Sequence, residues 1–352
     1  MKRLLQVAAT AAALAAVAAC GTTTVAEPAP VASTPTSQTC ANDTTKTATG
    51  PVSITDGVGR KVELAKPAER VAVLEWQQTE DLLTLCLTPV AAADPEGYGT
   101  YVKAEALPAS VVDAGQRGEP DLDAIYAQKP DLIVVEAFKA DDEIIGKLEK
   151  RGVPVLATVG ADASGQIANM KKVFSMIGTA TGRTERADLV LAQFDEHLAA
   201  AKQKVATASL TASVTAKDFL FFDGWIEGGN VVIRPYGKGA LFTELGEQLG
   251  LTAAWTEQIN ATYGSGGVDP AYGLAQTDIE GLTAVGSATL FYSDDATPES
   301  YVPELRKSPI WTALPAVEDG RAYAFPAGVW GAGGPLSNQQ AIDAYVNILT
   351  KG

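Results

Sequence analysis

The feature that most constrains this chain is "RTERADLVLAQFDEHLAAAKQKVA", a helical stretch running from about Arg183 to Ala206. Neither proline nor glycine interrupts it, so at 1.5 Å per residue it predicts a rod of roughly 35 Å, about the diameter of a domain. The pattern changes on both sides of it. Before it, "RVAVLEW", "PVAAAD", "PDLIVVEA" and "VPVLATVG" are short apolar runs that alternate with helical stretches such as "TEDLLTLCL", "DLDAIYAQ" and "DEIIGKLEKRG". After it, "DFLFFDGW", "ATLFYSDD" and "RAYAFP" read as strands, while "GALFTELGEQLGL" and "PLSNQQAIDAYVNIL" read as amphipathic helices. Alternation of this kind predicts parallel sheets covered on both faces. The expectation is α/β, with lobes at 51–182 and 207–352 and the 183–206 helix as a rigid strut between them.

The two halves carry a faint repeat. "DAIYAQKPDLIVVEA" begins at Asp123 and "EGLTAVGSATLFYSD" at Glu280. In each, an acid opens a short helix, and seven residues later a buried strand begins, at Pro130 and Ser287. "RVAVLEW…TEDLL" and "FLFFDGW…FTELG" match in the same order: an apolar strand, a tryptophan, then a helix. Duplicated lobes place a ligand cleft between them.

The first residues are expected to lie outside this fold. Lys2 and Arg3 precede an Ala/Leu/Val run from Leu4 to Ala19, too short and wrongly flanked for a spanning helix. The run ends in "VAAC", which resembles a bacterial lipobox, with an ordinary secretory signal as the alternative. Residues 1–19 are then a signal peptide and Cys20 the lipidated residue, attached to a membrane by its lipid. Residues 20–50, rich in Thr, Ala, Pro and Ser, bury too little to order themselves and read as a flexible tether. Export permits a disulfide between Cys40 and Cys86, while the apolar setting of Cys86 in "DLLTLCLTPV" equally suits a buried free thiol.

A formal charge of −15 excludes a nucleic-acid partner, because no basic face exists to meet phosphate. Catalytic chemistry is equally hard to assemble. The single histidine, His197, lies mid-strut among Ala and Lys, which removes Ser–His–Asp catalysis and an imidazole zinc site. Ser265 in "TYGSGGV" lacks the strand–turn–helix setting of a nucleophile elbow, and the glycine spacing around Lys238 in "PYGKGAL" is not that of a phosphate loop. No enzyme activity, no cofactor and no direct metal ligand are expected.

Taken in order, "RVAVLEW..TEDLL", "VVDAGQRGEPDLDAIYAQKPDL", "GALFTELGEQLGLTAAW" and "SPIWTALPAVEDGRAYAFPAGVWGAGGPLSNQQAIDAYV" resemble the substrate-binding lipoproteins of iron–siderophore ABC importers, the ferric-hydroxamate-binding branch above all. The resemblance runs from about Arg70 to Leu349. It implies two Rossmann-like lobes joined by a single long α-helix, the helical-backbone periplasmic binding protein fold. It also implies a shallow ligand cleft; a strut that is one long helix, in place of flexible strands, predicts little lobe movement on binding.

The resemblance assigns roles residue by residue. Arg117, in "GQRGEP", matches an arginine that grips iron-bound hydroxamate oxygens; the competing reading is a surface pair with Glu119. Trp255 and Trp330 match cleft tryptophans, although Trp330, on the glycine-rich "GVWGAGG", also reads as a core ring beside a turn. Trp76 ends the first strand, where open α/β sheets place their ligand loops. Phe138 stands near the family's cleft tyrosine without its hydroxyl, beside Lys139. Tyr98 and Tyr101 fall near a position that is aromatic in the family. Arg234 and Tyr236 come to the second lobe's cleft edge, and an Arg234 acting with Arg117 would favour a more anionic chelate. Asp123 and Glu280, the acids of the repeat, match the pair that docks on the permease, though both also suit the start of a helix by charge alone.

The expected protein is thus an extracytoplasmic, lipid-anchored monomer that hands a ferric siderophore, hydroxamate type favoured, to an ABC importer permease and its ATPase. The alternatives on the same fold are a catecholate or citrate chelate, haem or vitamin B12. More distant alternatives are an exported enzyme or a surface scaffold.

Overall fold

The computed structural model describes residues 40–208, 217–285 and 288–351. The expected signal segment, Cys20 and most of the tether lie outside them. An antiparallel ribbon, β1 (Val52–Thr55) and β2 (Lys61–Leu64), precedes the first lobe's sheet. That sheet contains β3 (Val71–Val73), β4 (Ala91–Ala92), β5 (Val112–Asp113), β6 (Leu132–Glu136) and β7 (Val155–Thr158) in the order β5-β4-β3-β6-β7, with every pair parallel. Alternate residues of its apolar strands serve opposite faces. Val71, Val73, Leu132 and Val134 enter one core, and Ala72, Ile133 and Val135 enter the other. Burial on both faces is why these strands read as continuous apolar runs.

The strut is the helix Thr184–Thr207, 24 residues long and one residue displaced from the expected bounds. Ala187 and Val190 bury into the first lobe's core, whereas Phe194, Leu198, Ala201 and Val205 bury into the second lobe's. One apolar stripe at helical spacing is therefore shared by both cores. Just before the helix, buried Arg183 donates from Nε to the Leu85 carbonyl at 3.0 Å and from Nη1 to the Thr47 hydroxyl at 2.9 Å, and it pairs with Asp43.

That arginine corrects the expected tether. From Cys40 onward the chain is docked on the body: Cys40 is bonded to Cys86, and the Ala48 amide donates to the Gly182 carbonyl at 2.8 Å. Small polar composition correctly excludes an apolar core here, but it carries no record of a covalent staple or a buried guanidinium. Cys86 occupies the left-handed position that closes the helix Trp76–Thr84, with φ 67°, where glycine is more usual.

The second sheet is mixed, not wholly parallel. Strand β8 (Asp218–Glu227) turns through Gly228 and Gly229 into antiparallel β9 (Asn230–Pro235), and two-residue β11 (Thr277–Asp278) adds antiparallel to β9. On its other edge β8 pairs in parallel with β12 (Thr289–Tyr292), which pairs with β13 (Ala322–Ala324). The short β10 (Thr252–Ala253) continues the β9 edge against the start of β8. The C-terminal helix Pro335–Lys351 buries Ile342, Tyr345, Val346 and Leu349, and its Asp343 lies 3.0 Å from His197 Nε2 on the strut.

Candidate functional site

A cavity of about 720 Å³ is lined from both lobes, by Glu75, Arg117, Glu136 and Gly160 on one side and Trp225, Arg234, Tyr236, Tyr272 and Trp330 on the other. Its first-lobe wall stands at the carboxyl ends of β3, β6 and β7, where an open α/β sheet presents its loops. The volume lies within the range of small-molecule sites.

Arg117 is the centre of the first-lobe wall. Its guanidinium sits 4.2 Å from the Trp76 ring centroid and 5.7 Å from that of Trp330, and Trp76 and Trp330 meet edge to face at 4.8 Å. Nε donates to Glu75 Oε1 at 2.6 Å, so the ion pair is with Glu75 and not with Glu119. Among the described residues the two Nη groups have no acceptor. A planar fork with free donors, held between rings, suits a pair of adjacent oxygens.

On the second-lobe wall, Arg234 lies directly across the β8–β9 ladder from Asp223, and the two form a two-point pair at 2.7 and 2.5 Å. The hairpin sets this register. Two residues along β8 on the same face, Trp225 brings its ring 5.9 Å from the Arg234 guanidinium. Tyr236 donates to the same Asp223 carboxylate at 3.1 Å; its phenol is pushed up by burial and by Asp223.

Glu136, at the end of β6, meets the second lobe across the cavity. The Tyr272 hydroxyl donates to both carboxylate oxygens, at 3.0 and 3.1 Å. A side chain at Gly160 would place Cβ 1.7 Å from Glu136 Oε2, so glycine is what lets the carboxylate lie there. Burial, then the neighbouring Glu75, raise this carboxyl to about 7, against the pull of Tyr272 and Arg117.

Two expected wall residues are elsewhere. Trp255 is 2% exposed in the second lobe's core, among Phe222, Ala275 and Leu282, and donates from Nε1 to Asn260 at 3.3 Å. The turn after β10 carries it under the sheet, not over the cleft. Tyr98 is fully buried on the inner side of the helix Pro95–Tyr101 and donates to the Glu105 carbonyl at 2.8 Å. Tyr101, its neighbour on that helix, instead stacks on Trp76 at 5.5 Å. Phe138 is 49% exposed and does not line the cavity; its ring is edge-on to Tyr272 at 6.3 Å. Asp123 and Glu280 are both exposed at the starts of short helices, Asp123 beside Arg151 at 2.6 Å.

The glycines around Trp330 serve close packing more than backbone turns. Of Gly328, Gly331, Gly333 and Gly334, only Gly328 has a left-handed φ. The others are places of close approach: a Cβ on Gly334 would lie 2.2 Å from buried Asp81 Oδ1. The loop is flush against the first lobe, which is what fixes Trp330 beside Arg117.

Residues 71–328 match the periplasmic binding protein family, most of the chain. The chain belongs to that family. Among curated members, the iron(3+)-hydroxamate-binding protein FhuD of Escherichia coli is 26% identical over 286 residues, covering 80% of this chain and 86% of its own. Among solved structures of this periplasmic binding protein fold, the Fe3+-Desferal-bound siderophore-binding protein FhuD of Vibrio cholerae superposes with a TM-score of 0.65 at 24% identity, covering 80% of this chain and 98% of its own. The triscatecholate siderophore-binding protein FeuA of Bacillus subtilis, complexed with ferri-bacillibactin, also reaches 0.65, at 21% identity over 85% and 98%. The fold is thus shared by members with hydroxamate and with catecholate chelates.

Sequence reasoning did not find Glu75, Glu136, Asp223, Trp225 and Tyr272. A Gly-Gly hairpin signal was present in "DGWIEGGNVVIR", and counting outward from it pairs Asp223 with Arg234. Glu136 and Tyr272 are 136 residues apart, and no local pattern joins them.

Proposed function

We propose that this periplasmic binding protein captures a ferric siderophore in the interlobe cleft, hydroxamate type favoured, and hands it to an ABC importer permease without chemical change. The likeness to the Escherichia coli hydroxamate-binding relative supports the ligand class. The observation that carries the preference is the state of the two arginines. Arg117 is neutralised by Glu75 and Arg234 by Asp223, so Arg234 adds no net charge to the cleft. A trihydroxamate chelate of Fe3+ is neutral at its core and needs only hydrogen-bond donors and aromatic cover. A triscatecholate carries three negative charges and would need free cations there.

Arg117, packed against buried Trp76, supplies the donors through its Nη groups, and Trp225, Trp330 and Tyr236 exclude water around the chelate. Export, lipidation at Cys20, attachment to the outer face of the membrane, and docking through Asp123 and Glu280 complete the proposal. The lipid anchor rests on the "VAAC" sequence and the docking pair on the repeat.

Isothermal titration with a ferric trihydroxamate, its metal-free form, a ferric triscatecholate and ferric dicitrate tests the assignment. Tight binding confined to the ferric trihydroxamate is expected. Preference for the triscatecholate or the citrate chelate would move the protein to that ligand class.

A further inference from the structure

The carboxylate of Glu136 is unexplained by the grip on a neutral chelate. It lines the cavity, it is positioned by the Tyr272 hydroxyl, and the absence of a side chain at Gly160 makes room for it. Among the described residues it forms no direct ion pair, in contrast to Glu75 and Asp223, although Arg117 lies near enough to favour its ionised form. Asp269, also on the wall but exposed, adds a second carboxylate with no ion pair among the described residues, and accepts the Ala271 and Tyr272 amides at 2.9 and 2.7 Å. With both arginines paired, the cleft's formal charge is negative. Tyr272 stands in the wall at the Glu136 end, and half-exposed Phe138, two residues on from Glu136, meets the Tyr272 ring edge-on. A carboxylate beside aromatic faces is the chemistry that receives an ammonium.

We infer that Glu136, flanked by Tyr272 and Phe138, holds a cationic group, an ammonium on the free arm of the ferric chelate, and so selects for chelates of positive net charge. The inference rests on the ferric-siderophore assignment above. The iron-bound oxygens meet Arg117, and the arm leaves the cavity along Tyr272 and Phe138. Burial and Glu75 raise this carboxyl to about 7, so at neutral pH it is partly ionised, and an arriving cation would favour the ionised form.

The test compares two probes on the whole exported body: a linear ferric trihydroxamate ending in a free ammonium, and the same chelate N-acetylated at that amine. By isothermal titration at neutral pH, the ammonium form is expected to bind about tenfold more tightly or better to the native protein, as a charge-assisted contact would give. In Glu136→Gln the ratio should fall close to one. If that variant does not fold, Tyr272→Phe, which leaves the carboxylate unheld, is read in the same way. Equal binding of the two probes by the native protein, or a ratio unaltered in the variants, overturns the ammonium subsite and leaves the trihydroxamate assignment standing. Failure of both probes to bind overturns the assignment itself and the subsite with it.

Discussion

Glu80 and Glu244 occupy matching places in the two lobes, and each caps a helix of the other lobe. Glu80 accepts the Gly334 amide at 3.1 Å, the Ser337 amide at 2.9 Å and the Ser337 hydroxyl at 2.6 Å, at the start of the helix Pro335–Lys351. Glu244 accepts the Gln166 and Ile167 amides, at 2.7 and 3.2 Å, at the start of the helix Gln166–Ala180. These are the acids of "TEDLL" and "FTELG" in the internal repeat. The exchange satisfies helix-end donors that would otherwise be orphaned and ties the lobes together at two places.

Removing a cap should therefore cost stability and loosen the lobes. Glu244→Ala should lose about 1–2 kcal/mol in denaturant unfolding, as other cap removals do. Glu80→Ala should lose more, roughly 2–4 kcal/mol, because its three donors are buried. Solution scattering of the native protein should show little compaction when a ferric chelate binds. A large compaction would mean that the strut and the exchanged caps do not hold the lobes.

The Cys40–Cys86 bond closes a loop of 46 residues. Chain entropy alone gives such a bridge roughly 4 kcal/mol, an upper figure where the unfolded chain is already compact. Cys40→Ser with Cys86→Ser should lower the thermal midpoint clearly while the chelate still binds, since neither residue lines the cavity. An unchanged midpoint would show that the docked segment is held without the disulfide, by contacts such as Asp43–Arg183 and Ala48–Gly182.

The strut was legible because nothing in Arg183–Ala206 breaks a helix, and the first sheet because its buried strands are continuous apolar runs. The site was legible only in part. Arg117, Trp76 and Trp330 could be placed through the family resemblance, because short loops carry them off strand or helix ends. Trp255 illustrates the limit: an aromatic just beyond a strand reads the same whether the next turn takes it over the cleft or beneath the sheet. Tyr98 and Tyr101 sit on one short helix, and a shift of three residues decides which faces Trp76. Glu136 and Tyr272 meet only because the lobes do, and that juxtaposition is tertiary.

Glu136 also makes stability depend on pH. Its carboxyl is raised from 4.5 to about 7, chiefly by burial. The folded protein holds a proton that the unfolded chain has already lost, so this stabilisation is full below the unfolded value and disappears as pH rises through about 7. Glu80 and Asp81 are raised in the same direction by burial. Glu136→Gln should reduce, without abolishing, the fall in thermal midpoint between about pH 5 and pH 8. A fall as steep as in the native protein would place the titration elsewhere.

Arg117→Ala should weaken ferric trihydroxamate binding by about 1–3 kcal/mol, the worth of charge-assisted hydrogen bonds, with the fold retained. Arg117→Lys should not restore it, because an ammonium lacks the planar fork and the stacking on Trp76. Unchanged affinity in the alanine variant would remove Arg117 from the site.

The most direct test of a ferric-chelate cleft is intrinsic tryptophan fluorescence, because Trp225 and Trp330 line the cavity and Trp76 lies against Arg117. Titration with a ferric trihydroxamate should quench the emission saturably at sub-micromolar concentration, and the metal-free ligand should not. Silence with the trihydroxamate, and with triscatecholate, citrate, haem and cobalamin in turn, would contradict the account.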